Sequence, residues 1–415
     1  MNGYFKTVLF IVLLIPLASQ AQDAKTLGYY LETATVNSPV LHDYQNQRDA
    51  VRIDSLKFRA DYGVKVNGQG DALYAPVFRG WGYDAAISNG QSVDLLIRAS
   101  RDFLSRKNKD TRLAGYSLSI DQLQNQSSIT RLTLERAITE QYIITYGSQR
   151  QYEVVEEVLR LLNEEDIILK KLTQNAVFKQ TDYLSFKVTL QQNLLSLQQH
   201  KTDWRNDYAV LNYLSGVVDT SLQKLAPPDI PDTVPQGFEE SIYAESYRTD
   251  SLKLDNEARV IHYDYRPKIS AFADGGYSSS LTTTPYKNFG TSAGVAVTLP
   301  IYDGHKRNLS LRQNQLSMET RATYNAFAKK QYQQQLQQLT AQIQQYRQLT
   351  VTATEQMKYA QTLIEANMKQ LPTGDVRVAD FILSISNYIN LKSGLVQYET
   401  TLYNLYNHLH HLILQ

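Results

Sequence analysis

The strongest constraint on this chain is that it is written twice, each copy built around one unusually long helical pattern. Thr181-Asp182-Tyr183-Leu184 has a counterpart in Ala379-Asp380-Phe381-Ile382, and the same offset of 198 carries Tyr208 onto Tyr406 and Leu211 onto Leu409. Asp61-Tyr62 maps onto Asp264-Tyr265, each just before an alternating segment. Both copies run helix, strand, loop, strand, very long helix, tight turn, helix. The periodicities place these at about 26–60, 64–74, 83–97, 99–173 and 181–215 in the first copy. In the second they fall at about 238–265, 268–278, 289–299, 305–370 and 378–413. The two shorter helices of a copy together match its long one, so stacked end to end they would form a column about 100 Å tall. The copies meet at Leu225 to Pro235, which holds four of the eleven prolines and reads as an extended, semi-rigid connector. The expected division is a leader at 1–21, a first repeat at 22–216, a Pro-rich linker at 217–237 and a second repeat at 238–415.

The leader reads as a secretory signal peptide. Lys6 precedes an apolar run from Val8 to Leu17, and Ser19-Gln20-Ala21 supplies small residues for cleavage after Ala21. The run is too short for the ~20 residues of a membrane span. Composition then removes whole classes. With 42 Lys+Arg against 41 Asp+Glu, the net charge of +1 gives no electrostatic reason to expect a nucleic-acid partner. Zero cysteines exclude disulfides, a thiolate nucleophile, cysteine-ligated zinc and a lipidated cysteine. A mean hydropathy of −0.39 rules out a polytopic helical membrane protein, but a β-barrel hides from that index.

Tyr332, Leu336, Leu339, Ile343, Tyr346, Ala353, Met357, Ala360 and Ile364 follow a three-four spacing with one gap at Thr350. That is the seam of a coiled coil. The strands alternate. Val64, Val66, Gly68, Gly70, Ala72 and Tyr74 oppose Lys65, Asn67, Gln69, Asp71 and Leu73; Ile269, Ala271, Ala273, Gly275 and Tyr277 oppose Ser270, Phe272, Asp274 and Gly276. Phe289, Thr291, Ala293, Val295, Val297 and Leu299 oppose Gly290, Ser292, Gly294, Ala296 and Thr298, and the 83–97 segment alternates less cleanly. Strands of about ten residues, one face apolar and one polar and small, suit a transmembrane barrel with a wet lumen. Tyr74 and Tyr83 flank one hairpin loop and Tyr277 and Phe289 the other, an expected aromatic girdle at one membrane interface. Four strands cannot close, since the smallest filled barrels need about eight. An open edge cannot sit in lipid either. Several chains must share one barrel: two would give eight strands, three would give twelve.

Thr298-Leu299-Pro300-Ile301-Tyr302-Asp303-Gly304 resembles the strand-ending Leu-Pro-Ile-Tyr-x-Gly of the TolC family of outer-membrane channels. Pro300 would end ladder pairing and Gly304 would free the turn into the helix. Arg266-Pro267-Lys268-Ile269 is similar to that family's proline entry into the preceding strand, and Ala34 to Leu41 to its Ala-x-x-x-Asn-Pro-x-Leu. Gly374 followed six residues on by Asp380 resembles its second tip. Three departures stand out. Leu383 occupies the place of a second tip Asp, and Ala99 to Phe103 lacks the strand-ending Pro. The gate arginine of the best-known member falls on Val376, with Arg377 only adjacent.

The resemblance implies an α+β membrane protein with a two-repeat fold. Four transmembrane strands per chain would contribute to the twelve-stranded barrel of a homotrimer, above a coiled-coil periplasmic tunnel. It implies outer-membrane lipid, a periplasmic adaptor protein and an inner-membrane transporter as partners, and an exit duct for efflux or type I secretion as function. Asp182 and Asp380, near the starts of returning helices, would favour the positive dipole end and cap free N–H groups. For Asp380 the resemblance adds a second role, a ring of three at the periplasmic constriction that attracts cations. No Gly-x-Ser-x-Gly elbow, His-Glu-x-x-His motif or phosphate loop occurs, so no enzyme, cofactor or metal is expected. His408, His410 and His411 read as a surface or interfacial helix end. The rival readings are a soluble periplasmic adaptor without a pore and an exported hydrolase.

Overall fold

The computed structural model describes residues 24–84, 90–219, 221–230, 237–282 and 284–414. The signal peptide expected at 1–21 and part of the linker, 231–236, lie outside the described residues.

The chain begins with α1 (Leu27–Asn37) and α2 (Pro39–Asp61), where one helix was expected. Pro39 has no N–H to continue the ladder, and Ser38 turns extended and caps α2 by accepting from the Leu41 N–H at 3.5 Å. Then come β1 (Lys65–Tyr74), β2 (Gln91–Phe103), α3 (Arg106–Gln174) and α4 (Gln180–Ser215). The second half holds α5 (Ile242–Asp264), β3 (Lys268–Ser279), β4 (Phe289–Thr298), α6 (Lys306–Gln370) and α7 (Val378–Leu414). A 3₁₀ turn at Phe238–Glu240 precedes α5, which Ser241 caps through the Ala244 N–H at 3.2 Å.

The largest correction concerns β2. It was expected at 83–97 with the long helix starting at 99, yet it runs from Gln91 to Phe103 and the helix starts at Arg106. No proline stops it, and β3 offers partners as far as Phe103↔Ile269. Gly90, at φ 75, closes the loop by accepting from the Ala75 N–H at 2.8 Å. Tyr83 therefore lies in the connection and not at a strand end.

The chain divides into two compact units, each assembled from both repeats. One comprises Met1–Glu32, Gln141–Asp229 and Met357–Thr400. Its core joins Leu162 and Leu169 of α3, Phe186 and Leu190 of α4, Ile364 of α6 and Phe381 and Ile385 of α7, with Met357 and Ala360 of the seam packed against it. The Phe186 and Phe381 rings stack at 6.4 Å and 15°. The described part of the linker is pinned: Leu225 bridges Lys25, its N–H donates to Gln149 Oε1 at 2.8 Å, and the Tyr142 hydroxyl bonds the carbonyls of Lys25 and Ala226 at 2.9 and 2.7 Å.

The other unit comprises Thr33–Glu140, Ile230–Gln356 and Thr401–Gln415. It holds one antiparallel sheet in the order β1-β2-β3-β4, with β1 and β4 as its edges. Along α3, the Tyr116 ring meets Phe58 of α2 at 5.9 Å, and Asn125 donates to Thr249 of α5 at 3.1 Å. The upper part of the seam behaves as its spacing requires: Ile343, with Leu336, Leu339 and Tyr346 beside it, packs on Leu405, Leu409 and Ile413 of α7.

Candidate functional site

The registers settle the two faces of the sheet. Val66, Ala72 and Tyr74 of β1 align with Ala99, Val93 and Gln91; Leu95, Ile97 and Phe103 of β2 align with Tyr277, Gly275 and Ile269; Ala271, Ala273 and Tyr277 of β3 align with Val295, Ala293 and Phe289. Pairing puts opposed residues on one side of a sheet, so this face is apolar across all four strands, broken chiefly by Gln91 and Arg101. It is also open: Ile97 and Val297 are each 65% exposed. A continuous exposed apolar face of this extent marks a surface that meets lipid or another protein.

The opposite face carries Lys65, Asn67, Gln69, Asp71, Asp94, Arg98, Ser100, Asp274 and Ser292. At its centre Arg98 donates from Nε and Nη2 to Asp274 Oδ2 at 3.0 and 2.8 Å, and Ser292 donates to Asp274 Oδ1 at 2.6 Å. The Arg98 guanidinium lies 4.9 Å from the Phe272 ring, and Gly294 makes room for that ring, since a Cβ there would approach it to 2.7 Å. Nothing in the sequence announced this group, whose members lie 176 residues apart.

The ends of the sheet carry the other sequence-derived residues. Tyr74 closes β1, and Tyr277 and Phe289 meet edge to face at 5.3 Å, all three on the apolar face; Tyr83 is exposed in the loop. At the helical end the ladder stops at Lys268↔Thr298, two residues before Pro300, and Gly304 takes φ 65. Leu299, Ile301 and Tyr302 are exposed, Ile301 at 93%. Asp303, which sequence reasoning passed over, accepts from the Arg307 N–H at 2.8 Å and so caps α6.

In the helical unit the tip acids differ from expectation. Asp182 and Asp380 lie in the first turns of α4 and α7, where the dipole favours them, but neither is the N-cap; that position in α4 is Lys179. Asp380 is forked by Arg377, whose Nε and Nη2 donate at 2.7 and 2.9 Å, and this guanidinium lowers the carboxyl below its ordinary value. Asp182 has no side-chain ion pair or hydrogen bond among the described residues. The uncompensated acid is thus Asp182 and not Asp380. Farther along, Lys392 donates to both Glu157 oxygens at 2.6 Å, and Tyr388 donates to Oε1 at 3.0 Å. Burial would raise Glu157, yet these bonds prevail and lower it. At the end of α7 His408 and His410 are half-buried, whereas His411 is buried and so no surface residue; it bonds the Asn407 carbonyl at 2.9 Å and is lowered below its ordinary value by burial. Among the described residues no group of three potential ligands could hold a metal, and no helix is long and apolar enough to cross a membrane.

A four-stranded sheet with opposed polar and apolar faces, set between long helices in a duplicated order, is the fold of the TolC-like outer-membrane channels. Among solved structures the chain is similar to the outer-membrane channel OprN, with a TM-score of 0.75, 13% identity, and coverage of 94% of this chain and 89% of that one. It is similar to the outer membrane protein VceC of Vibrio cholerae at a TM-score of 0.73 and 14% identity, covering 94% and 96% of the two chains. The CmeC outer membrane channel of Campylobacter jejuni matches at 0.73 and 12% identity, covering 94% and 85%. No protein-family model matches the sequence, and no curated protein matches it.

Proposed function

We propose that this chain is one subunit of a channel through the outer membrane of a bacterium. It would serve as the passive exit duct of an efflux or type I secretion machine. The observation that carries the reading is the sheet: an exposed apolar face backs a polar face, and among the described residues the outer edges of β1 and β4 pair with no further strand. Such a sheet satisfies its backbone in lipid only by joining further copies edge to edge. Three copies, in line with the resemblance, would make twelve strands around an aqueous lumen. Arg98, Asp274 and Ser292 would line that lumen, while Val66, Ile97 and Val297 would meet lipid. Tyr74, Tyr277 and Phe289 would sit at the outer interface, with Trp81, Tyr83 and Tyr286 in the loops beyond. The α4 and α7 starts, with Asp182 and Asp380, would form the periplasmic entrance where an adaptor and an inner-membrane transporter engage.

Extraction and conductance test this together. The channel should resist carbonate, require detergent, run as a trimer and give discrete conductance steps in planar bilayers. Release by carbonate as a non-conducting protein would instead favour the adaptor reading.

A further inference from the structure

The charge of this chain is unevenly placed. The antiparallel sheet brings four segments to its helical end: 57–65, 101–112, 259–268 and 300–312. Together they hold fourteen Lys and Arg against five Asp, a net of +9 in a chain of net +1. Lys65, Arg106 and Arg112 pair with Asp61, Asp110 and Asp264, and Lys57, Arg259 and Arg312 pair with Asp54, Asp255 and Glu319 just outside these segments. Arg101, Lys107, Lys109, Arg266, Lys268 and Lys306 have no carboxylate partner among the described residues. The excess is not incidental to helix formation, because it opposes it. Both long helices begin with cations, Arg106-Lys107 and Lys306-Arg307, and neither has an acid within its first turn, the one acid at the α6 start being Asp303 just before it. A helix start disfavours positive charge, and α4, α5 and α7 each place an acid there. Local rules broken in this way point to function.

Apolar surface borders the same collar. The Arg101 guanidinium lies 5.5 Å from the ring of Phe103, which ends β2 on the apolar face, and donates to the Tyr62 carbonyl at 3.3 Å. Beyond β4, the exposed Leu299, Ile301 and Tyr302 precede Lys306 by a few residues. A groove of about 440 Å³ lined by Asp264, which Arg112 pairs, and by Tyr265, Lys268, Pro300, Lys306 and Ser310 opens at this end. Cations and hydrogen-bond donors at the border of an apolar band match an amphiphile with a phosphate at its head.

We propose that this collar is a binding surface for the phosphate groups of anionic glycerophospholipids in the periplasmic leaflet, with Leu299, Ile301 and Tyr302 against their acyl chains. Its assignment to that leaflet rests on the channel reading, which puts the helices on the periplasmic side. Bound headgroups would fix the depth of the sheet in the membrane and neutralise the cations that burden the starts of α3 and α6.

The test offers full-length protein in detergent an equimolar mixture of phosphatidylglycerol and phosphatidylethanolamine, with retained lipid counted by native mass spectrometry. The wild type should retain phosphatidylglycerol in preference, and the preference should fall about fivefold per charge removed, so about a hundredfold in Arg101→Gln/Arg266→Gln/Lys306→Gln. The control Lys170→Gln/Lys201→Gln/Lys369→Gln, neutralised outside the collar, should keep it. Arg266→Gln alone provides a milder step should the triple variant misfold. Equal retention of the two lipids, full retention by the collar variants, or displacement by millimolar inorganic phosphate would overturn the proposal. Conductance of the wild type is read separately in planar bilayers. A conducting protein without lipid preference sinks the collar alone, whereas a non-conducting one that still selects phosphatidylglycerol sinks the channel reading and its leaflet assignment.

Discussion

Phe381→Ala should loosen the helical unit without touching the sheet. Phe381 is 1% exposed, sits among Phe186, Leu371, Val378 and Ile385, and stacks on Phe186 at 6.4 Å. A buried aromatic ring removes about 150–250 Å² from water, and at about 25 cal/mol per Å² its truncation forfeits most of about 4 kcal/mol. Phe→Ala changes in cores span about 3–5 kcal/mol, so about 3–4 kcal/mol is expected here. If the unit opens locally, its opening equilibrium rises by a few hundredfold, at tenfold per 1.4 kcal/mol. Phe381→Leu keeps most of the volume and should cost only about 1 kcal/mol, roughly fivefold. Hydrogen exchange on the detergent-solubilised chain reads this directly. Peptides from α4 and from the start of α7 should lose protection in the order Ala, then Leu, then wild type, while β1–β4 amides stay unchanged. Exchange in Phe381→Ala no faster than in Phe381→Leu would refute the packing argument. Equal loss in the sheet would refute the local one.

Four further outcomes follow from particular contacts. Gly276→Ala would place a Cβ 2.1 Å from the Leu95 carbonyl oxygen, so it should abolish detergent-stable assembly, whereas Gly68→Ala, with no atom within 4 Å, should assemble normally on gel analysis. Asp380→Asn frees Arg377 and should move the bilayer reversal potential in a KCl gradient toward anions; Arg377→Gln should move it toward cations, and the absence of both shifts would take the pair out of the ion path. Glu157 is lowered, so the stability it contributes is present above its ordinary 4.5 and lost as pH falls through the lowered value; a Glu157→Gln/Lys392→Met cycle should give a coupling of about 1 kcal/mol at pH 7 that vanishes in acid. His411 is also lowered, as are His408 and His410, so the unfolded chain binds these protons first and stability falls from about pH 6.5 downward; thermal unfolding of His411→Asn should show a shallower slope than the wild type.

The parts legible in the sequence were those written as local period. β1, β3 and β4 alternate with few interruptions, Leu73, Phe272 and Thr291, and lie within about a residue of where their pattern put them. The seam residues of α6 are the ones that pack. β2 was misplaced because Asn89 and Gln91 blur its alternation and its far end has no proline like Pro300; only the pairing of Phe103 with Ile269 extends it. Arg377 and Asp380 stand at i and i+3, a spacing that marks an ion pair on a helix, so that signal was present and passed over. Arg98 and Asp274 had no local signal at all.

By itself the sequence determined a duplicated order of elements, one long helical seam and strands with one face for water and one for apolar surroundings. Those properties depend on side-chain period, and period is visible one segment at a time. Tertiary structure decided which charges far apart in the chain meet: Asp274 is held by Arg98 across 176 residues, and cations from four distant segments gather at one end of the sheet. The reason is physical: the energy of a charge depends on what lies within a few ångströms of it, and only the folded chain brings those neighbours there.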